Sequence, residues 1–396
     1  MNRPTCEVAD ILRAAGARFI ERSKSHLAWP LLKVMRAIER CRTAALGGHR
    51  DYCLGCGHDL GLSYNSCRNR HCPKCQTHAR NQWIAARTRD LVPLGYFHVV
   101  FTVPQQLSAL MLQNKRLLYS LLFRASAETM LEMAADPAHL GAEIGFFSIL
   151  HTWGQTLQHH PHIHCVVPQG GFSADRTRWI HPKYRFFLPV AALSEVFRGK
   201  FVDALEDLYR RHKLALHGGL QSLAEPRAFA RYVQTLHHHK WVVYAKKPFS
   251  GPEHVLHYLV RYTHRVAISN HRLLSFEDGK VAFRWKDYAH GNKKRKMILE
   301  AHEFIRRFLL HVLPRGFVRI RHFGWLSNRS RTELVARCRA LLADEAPRPP
   351  ALPASAPSAS KRRCPVCGGP LAVAETFTAR ELWRAEHRRQ GELDSS

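Results

Sequence analysis

The sequence of 396 residues has no apolar run that approaches the length of a membrane-spanning helix, roughly 18 residues. Residues 1–23 have the pattern of an amphipathic helix and lack the apolar centre of a secretory signal peptide. We therefore expect neither a membrane protein nor an exported one. The 11 cysteines agree with this, because Cys-x-x-Cys pairs in a chain without an export signal indicate metal-bound thiolates in a reducing compartment. The predicted location is the cytoplasm.

Acidic residues are also scarce, with 31 Asp and Glu against 60 Lys and Arg and a net charge of +29. A protein of this charge is drawn to polyanions, and a pI near 10.2 favours nucleic acid over a membrane surface. Because phosphates would supply most of the affinity, we expect binding to weaken steeply as salt rises. The basic run 293–296 and the arginines after it interleave with aromatic residues. That mixture is typical either of a solvated charged face or of phosphate contacts beside stacking platforms.

Helix and strand patterns mix along the chain, with a strong strand at 96–103 closed by Pro104 and a β-hairpin around the turn 277–280. This mixture predicts an α+β fold with a sheet covered on one side by helices. A shift to Pro, Ala and Ser after residue 344 is typical of a linker. The predicted parts are a helical and zinc-binding N-terminal domain at 1–92 and a core with a basic C-terminal extension at 93–344. A linker at 345–363 and a cysteine-bearing tail at 364–396 follow.

The segment 151–167 gathers histidines onto a predicted β-hairpin. Side chains alternate faces along a strand, so His162 and His164 share one face while Ile163 points into a core. His151 lies eleven residues upstream of His162 and could supply a third nitrogen across the hairpin. Three nitrogen ligands leave coordination positions open, as metal-assisted catalysis requires. The segment therefore predicts a divalent-metal site.

Two other interpretations of these histidines stay open. One is an exposed polar strand face in a chain that has 27 histidines. The other uses a different register, in which His160, His162 and His164 alternate as in the histidine-triad nucleotide hydrolases. Pro161 argues against a regular strand that starts at His160, because proline cannot donate a hydrogen bond to a strand ladder.

Two Cys-x-x-Cys pairs follow the first predicted helices. Fifteen residues separate the pair Cys53 and Cys56 from the pair Cys72 and Cys75, which is close to the standard spacing of a four-thiolate zinc site. Each pair forms a tight turn, and the intervening residues are enough for the chain to fold back and complete a tetrahedron. We predict that these four cysteines hold one Zn²⁺ ion.

Further cysteines and histidines extend this prediction. Cys67 and His71 lie between the two pairs, so an exchanged ligand or a second zinc ion stays open. Cys364 and Cys367 in the tail are half of such a site, and an unmetallated turn is the alternative interpretation. The candidates to complete that half are Cys338, a histidine such as His387, or another chain.

A predicted helix begins at Pro252, a residue suited to the first helical turn. Tyr258 and Tyr262 are i and i+4 neighbours on one face of it, together with His254. Taken alone, the pair is typical of half-buried tyrosines with exposed hydroxyls. Beside a histidine metal site and a basic surface, it indicates phosphodiester chemistry, in which a tyrosine hydroxyl attacks a phosphate that a metal polarises.

The chain resembles the rolling-circle insertion-sequence transposases of the two-tyrosine HUH class, where HUH stands for His, hydrophobic, His. Four ordered motifs carry the resemblance, which covers most of the chain. They lie at 66–76, at 151–155 with 160–166, at 244–249 and at 258–265. The resemblance implies a zinc-binding N-terminal domain and an HUH-endonuclease core with a central antiparallel sheet flanked by helices. The linker and the terminal cysteine pair are the least transferable part.

The resemblance also implies site residues. The two tyrosines of the predicted helix would be the nucleophiles, and His162 and His164 would hold a catalytic Mg²⁺ or Mn²⁺ ion. The third ligand would be His151, as in relaxases, or His254, from the tyrosine helix, as in single-tyrosine relatives; we favour His151. The candidates for holding DNA phosphates are Lys246, Lys247, Arg261 and Arg265.

The implied partners are single-stranded or hairpin DNA at the ends of a transposable element, and target DNA. A tyrosine attacks one strand to leave a 5′-phosphotyrosine and a free 3′-hydroxyl, while the second tyrosine can cleave another strand. Because the phosphotyrosine keeps the bond energy, joining needs no ATP. Competing interpretations are a plasmid replication initiator or relaxase with the same chemistry, a non-catalytic zinc-dependent nucleic-acid-binding protein, and a histidine-triad hydrolase. The N-terminal cysteine module favours the transposase.

Overall fold

The structure, a computed structural model, describes residues 4–25, 27–76, 82–83, 87–182, 188–249, 267–288, 290–345 and 363–384. The chain divides into two compact units. The first comprises Met1–Ala85, His264–Val312 and Pro353–Ser396, and the second comprises Ala86–Thr263 and Leu313–Leu352. This division differs from the predicted domain boundaries, because the first unit takes in a central segment and the tail, which the sequence pattern assigns to separate domains.

The helices are α1 (Val8–Arg22), α2 (Trp29–Glu39), α3 (Ser108–Gln113), α4 (Lys115–Ala135), α5 (Val190–Arg210), α6 (Pro226–His238), α7 (Ala301–Leu310) and α8 (Arg331–Glu345). The strands are β1 (Gly48–Cys53), β2 (Asp59–Tyr64), β3 (Tyr96–Thr102), β4 (Gly145–Trp153), β5 (His159–Pro168), β6 (Gly171–Phe172), β7 (Trp179–Ile180), β8 (Val242–Phe249), β9 (Leu273–Glu277), β10 (Lys280–Asp287), β11 (Lys293–Glu300), β12 (Ile320–Gly324) and β13 (Leu371–Phe377). Within the described residues, no helix is both long enough and apolar enough to cross a membrane.

A five-stranded antiparallel sheet lies at the centre of the second unit, in the order β12, β4, β5, β3, β8. Alternate residues of β3, among them Phe97 and Phe101, are fully buried in a core that α4 and α5 complete. The ring of Phe101 meets that of Phe197 in α5 edge to face at 5.0 Å. Fully burying a side chain of this kind stabilises the fold by about 1.5–3 kcal/mol. The predicted α+β fold with a central antiparallel sheet flanked by helices is confirmed.

The predicted histidine hairpin consists of β4 and β5. His151 is the direct cross-strand partner of His162. Ile163, Cys165 and Val167 are fully buried in the core shared with α4 and α5. Because side chains alternate along a strand, this register places the even-numbered histidines of β5 on the opposite face of the sheet.

Pro161 lies inside β5, which begins at His159. The register between β4 and β5 shifts between His151 and Trp153, and Trp153 pairs with His159 beyond the shift. Pro161 therefore lies where the ladder is irregular, and there the missing backbone N–H costs no regular hydrogen bond.

The first unit combines helices with two three-stranded antiparallel sheets, in the orders β13, β1, β2 and β11, β10, β9. At the start of α1 the carboxylate of Asp10 accepts a hydrogen bond of 2.9 Å from the backbone N–H of Glu7, which fixes the first turn. Farther along α1, the ring of Phe19 lies 4.8 Å from that of His302 in α7. The last strand of the described chain, β13, pairs with the first, β1.

Candidate active site and metal centres

Three histidine rings meet on the face of the central sheet opposite α4 and α5. The ring centroids of His151 and His164 are 4.3 Å apart, those of His162 and His164 4.8 Å, and those of His151 and His162 5.3 Å. One nitrogen of each ring lies within 4.8 Å of the others. His151 and His164 are buried, whereas His162 is half-buried. The structure thus brings together the three side chains that the hairpin pattern predicts as metal ligands.

A fourth histidine, which is not among the predicted site residues, supports this cluster. The Nε2 atom of His98 in β3 lies 2.8 Å from the Nδ1 atom of His164. If His164 donates its Nδ1 hydrogen to His98, its Nε2 presents a lone pair to a metal ion. Trp153 stacks on His151 at 4.5 Å and fixes the plane of that ring. The sequence signal for His98 is a histidine within the largely apolar strand 96–103.

Burial decides the protonation of His162. Desolvation, reinforced by the nearby His160 ring, lowers the pKa of His162 to about 4. The Nδ1 atom of His162 lies 2.7 Å from the backbone oxygen of His160. His162 is therefore neutral at physiological pH, which is the form that binds a metal. His160 is not part of the group of three converging nitrogens, so the geometry favours the register of His151, His162 and His164 over the histidine-triad register.

The tyrosine helix predicted from Pro252 falls within 250–266, outside the part of the chain that the structure describes. The candidate site residues located there are His254, Tyr258, Arg261, Tyr262 and Arg265. Lys246 and Lys247 belong to β8, and Lys246 is the backbone cross-strand partner of His98. Strand β8 therefore lies next to the strand that carries the supporting histidine.

The cysteines of the first unit form two clusters in place of the single one predicted. One cluster is Cys41, Cys67, Cys72 and Cys75, and the other is Cys53, Cys56, Cys364 and Cys367. The prediction that Cys53 and Cys56 share an ion with Cys72 and Cys75 is therefore wrong. The hairpin of β1 and β2 separates the two pairs. Cys53 and Cys56 lie at its tip, whereas Cys72 and Cys75 follow its base. A strand of 6 residues such as β1 spans about 20 Å.

The sulfur atoms of the first cluster are spaced for a shared metal ion. Those of Cys41 and Cys75 are 3.5 Å apart, those of Cys67 and Cys75 3.5 Å, and those of Cys41 and Cys72 3.7 Å. Four sulfurs held tetrahedrally at about 2.3 Å from zinc lie about 3.8 Å from one another, whereas a disulfide brings two sulfurs to about 2.05 Å. None of the 11 cysteines takes part in a disulfide. Four thiols at this spacing fit Zn²⁺.

The other candidate zinc ligands differ in their outcome. Cys67 takes a position in the first cluster, whereas His71 is buried outside it, with its Nδ1 atom 3.2 Å from the side-chain oxygen of Asn69. Cys338 lies in α8 of the second unit and joins neither cluster, and His387 lies outside the described residues. Cys41 follows α2 without a Cys-x-x-Cys partner, so spacing gives no signal for it.

Strands β10 and β11 carry a face of exposed cations. Arg284 is the cross-strand partner of Lys296, and Lys286 is that of Lys294. All four side chains are exposed, and alternation puts them on one face of the hairpin, whose other face packs against α7. Like charges directly opposite each other destabilise a sheet. An anionic partner such as a phosphate backbone would relieve that repulsion.

Two family models match the chain. The model described as "Putative transposase" matches residues 145–333, which include the histidine hairpin. The IS91 model described as "Transposase zinc-binding domain" matches residues 11–103, which include all cysteines of the first cluster. Neither match reaches the tail at 363–384.

Two curated relatives cover most of the chain. The "Putative transposase y4qJ" of Sinorhizobium fredii is 52% identical over 387 residues, which are 95% of this chain and 97% of that protein. The "Transposase for insertion sequence element IS801" of Pseudomonas savastanoi pv. phaseolicola is 26% identical over 327 residues, which are 81% of this chain and 74% of that protein. No solved structure gives a significant match.

Proposed function

Because this chain belongs to the IS91 family of transposases, we propose that it nicks and joins single-stranded DNA at the ends of its element through a 5′-phosphotyrosine. The observation that carries this proposal is the convergence of His151, His162 and His164 on one face of an antiparallel sheet. Uncharged imidazoles are ligands for a divalent ion, and three of them leave positions for a phosphate oxygen and water.

In the proposed reaction, the hydroxyl oxygen of Tyr258 or Tyr262 attacks the phosphorus of one phosphodiester. The new bond from oxygen to phosphorus forms as the bond to the 3′-oxygen breaks. The tyrosine proton passes to solvent, and the leaving 3′-oxygen takes a proton from solvent to become a hydroxyl. When bound, Mg²⁺ or Mn²⁺ would supply positive charge to the phosphate that is being cleaved. A 3′-hydroxyl that attacks the phosphotyrosine reverses these bond changes and joins two strands without ATP.

The histidines would keep this site in one protonation state. With its pKa lowered to about 4 by burial, His162 stays uncharged while the substrate binds. His98 would hold His164 in one tautomer through the contact of 2.8 Å between their nitrogens. The protein therefore contributes a site whose ligands are preorganised.

Phosphate contacts would come from several places. The exposed pairs Arg284 with Lys296 and Lys286 with Lys294 form one cationic face of the first unit. Lys246 and Lys247 on β8, together with Arg261 and Arg265, are the other candidates. A net charge of +29 supports binding of this electrostatic kind.

Two functions with related requirements rank lower. A replication initiator or relaxase would use the same tyrosine chemistry, but both curated relatives carry transposase names. A non-catalytic zinc-dependent DNA-binding protein would need neither the three converging histidines nor the support that His98 gives them.

The histidine site is tested by nicking of labelled single-stranded DNA from the element end. His162→Ala and His164→Ala are each expected to reduce metal-dependent nicking to background while DNA binding persists. His160→Ala is the matched control in the same strand, and we expect it to retain nicking. If both ligand variants nicked as the wild type does, the histidine site would not be catalytic. A reaction that depended on His160 alone would favour the histidine-triad register.

A further inference from the structure

The second cysteine cluster joins two parts of the chain that are far apart in sequence. Cys53 and Cys56 lie in the N-terminal region, whereas Cys364 and Cys367 lie in the tail. We propose that these four cysteines bind a second zinc ion, which fastens the tail to strand β1. The tail half of this site lies beyond the residues that either family model matches.

The two halves of the cluster fold alike, residue by residue. The N–H of Cys53 donates to the carbonyl of His58, five residues on, and the N–H of Cys364 donates to the carbonyl of Gly369, also five residues on, both at 2.9 Å. Gly57 and Gly368, each four residues after the first cysteine, donate back to its carbonyl at 3.0 Å and 2.9 Å. Two turns with the same pattern of backbone hydrogen bonds therefore face each other.

The glycine that follows each pair has the backbone conformation that such a turn requires. Gly57 has a φ of 70° and Gly368 a φ of 71°. In this left-handed region a side chain is disfavoured, so glycine is the residue suited to both positions. The sequence repeats Cys-x-x-Cys-Gly at 53–57 and 364–368. Zinc-binding turns of this kind occur in pairs that close one tetrahedral site.

The sulfur atoms of the two halves meet in crossed pairs. Those of Cys53 and Cys367 are 3.4 Å apart, and those of Cys56 and Cys364 are 3.7 Å apart. Both distances are close to the edge of about 3.8 Å expected for four thiolates around zinc. The backbone N–H of Gly55 donates to the sulfur of Cys53 at 3.3 Å, as amides around metal-bound thiolates do.

The backbone of the tail continues the site into a sheet. Strand β13 pairs with β1 from Gly48 opposite Phe377 to Cys53 opposite Leu371. Past the cysteine, the N–H of Leu54 donates to the carbonyl of Pro370 at 2.9 Å. The ion would therefore hold together one end of the pair formed by β1 and β13, two strands that are far apart in sequence. Closing such a long loop is costly in entropy, and a metal clip offsets that cost.

Two of the four thiols give a test on the wild-type chain. Cys56 and Cys367 are exposed, so without a metal iodoacetamide can reach both. We expect both to resist labelling in protein purified without chelator and to become fully labelled once zinc is removed. Peptide mass spectrometry reads each site separately and needs no substitution that could disturb folding. Labelling of both at the same rate with and without chelator would overturn the proposal.

Zinc counted by native mass spectrometry tests the ligand set. The wild-type chain is expected to hold two ions in its cysteine clusters. Cys53→Ser with Cys56→Ser should remove one ion, Cys364→Ser with Cys367→Ser should remove one ion, and all four substitutions together should still remove only one. The tail variant retaining two ions, or one ion bridging two chains through exchanged tails, would overturn closure of the site within one chain.

Two single substitutions serve as controls. Cys6→Ser replaces a buried cysteine outside both clusters and should leave two ions. Cys41→Ser should remove the ion of the first cluster and leave the labelling of Cys367 unchanged. If Cys41→Ser exposed Cys367 to labelling, the two sites would not be independent, and assignment of one ion to each would fail.

Discussion

The rings of His98 and His164 lie edge to edge, with their planes 6° apart and a nitrogen of each 2.8 Å from the other. They are diagonal neighbours on β3 and β5, because Val100 is the direct cross-strand partner of His164. Both side chains are buried, so water does not compete for this contact. When His164 donates its Nδ1 hydrogen to His98, the contact holds His164 in the tautomer whose Nε2 can bind a metal. Strand β3 thereby supports the histidine cluster although it supplies none of the three converging ligands.

This contact predicts a metal-dependent defect for substitution of His98. His98→Leu keeps an apolar side chain in the strand but removes the nitrogen that faces His164. Loss of such a supporting partner typically weakens metal binding by about 10- to 100-fold. We therefore expect half-maximal cleavage of element-end DNA to require that much more Mg²⁺, while saturating Mg²⁺ restores most of the rate.

The matched control is His98→Gln, whose side-chain amide can still hydrogen-bond. It should recover part of the lost metal affinity. A Mg²⁺ dependence in His98→Leu equal to that of the wild type would mean that His98 only packs. A low rate at every Mg²⁺ concentration would point instead to a damaged sheet.

The cationic face of β10 and β11 predicts a change in salt dependence. Removing Lys286, Lys294 and Lys296 together by substitution with Ala should flatten the plot of log affinity against log salt. Each lost phosphate contact reduces its slope by about 0.7 for single-stranded and 0.9 for double-stranded DNA. Fluorescence anisotropy over a salt series measures this. Lys293→Ala, exposed on the other face of β11, is the control and should keep the wild-type slope. An unchanged slope in the triple variant would remove this face from the DNA interface.

His322 in β12 predicts a loss of stability in acid. Its Nε2 atom is buried and has no hydrogen-bond partner among the described residues. Burial, reinforced by Arg87 and Arg331, lowers the pKa of His322 from 6.5 to about 4. Between pH 6.5 and about pH 4 the unfolded chain binds a proton at His322 that the folded chain does not bind. The free energy of unfolding therefore falls as the pH drops through this range. The penalty at pH 5 is roughly 1 kcal/mol, allowing for partial exposure.

Urea unfolding at pH 7 and pH 5 measures that effect. His322→Gln cannot take up the proton, so its free energy of unfolding should fall less between the two pH values than that of the wild type. His238→Gln, at an exposed position near the end of α6, should fall as the wild type does. Equal falls in all three proteins would show that His322 does not contribute to the pH dependence.

Local pattern was enough to predict the centre of the fold and its histidines. The alternation around Ile163 fixes which face of β5 is buried, and a single hairpin then brings His151 opposite His162. A shift of one residue would turn every side chain of β5 to the wrong face, so this register is strongly specified. The position of His98 depends on the pairing of β3 with β5, which are distant in sequence, and no local pattern determines it.

The cysteine clusters show that sequence spacing alone does not predict which cysteines share an ion. The spacing of the two consecutive Cys-x-x-Cys pairs predicted that Cys53 and Cys72 share an ion. The hairpin of β1 and β2 lies between the pairs and places the first pair at its tip. Cys41 has no motif of its own, and its place is set by how the chain turns after α2. The predicted partners of Cys364 were Cys338, His387 or another chain, whereas the pairing of β13 with β1 brings it to Cys56. Long-range strand pairing was the missing information.

The most direct test of the central claim is a covalent adduct between the protein and its DNA. Purified wild-type protein, Tyr258→Phe, Tyr262→Phe and the double variant are incubated with labelled single-stranded DNA from the element end, with Mg²⁺ or with EDTA, and separated on denaturing gels. We predict an adduct that requires the metal and disappears in the double variant, with the single variants showing which tyrosine attacks first. Nicking that persists in the double variant, or no adduct on DNA that the wild-type protein binds, would contradict the tyrosine mechanism.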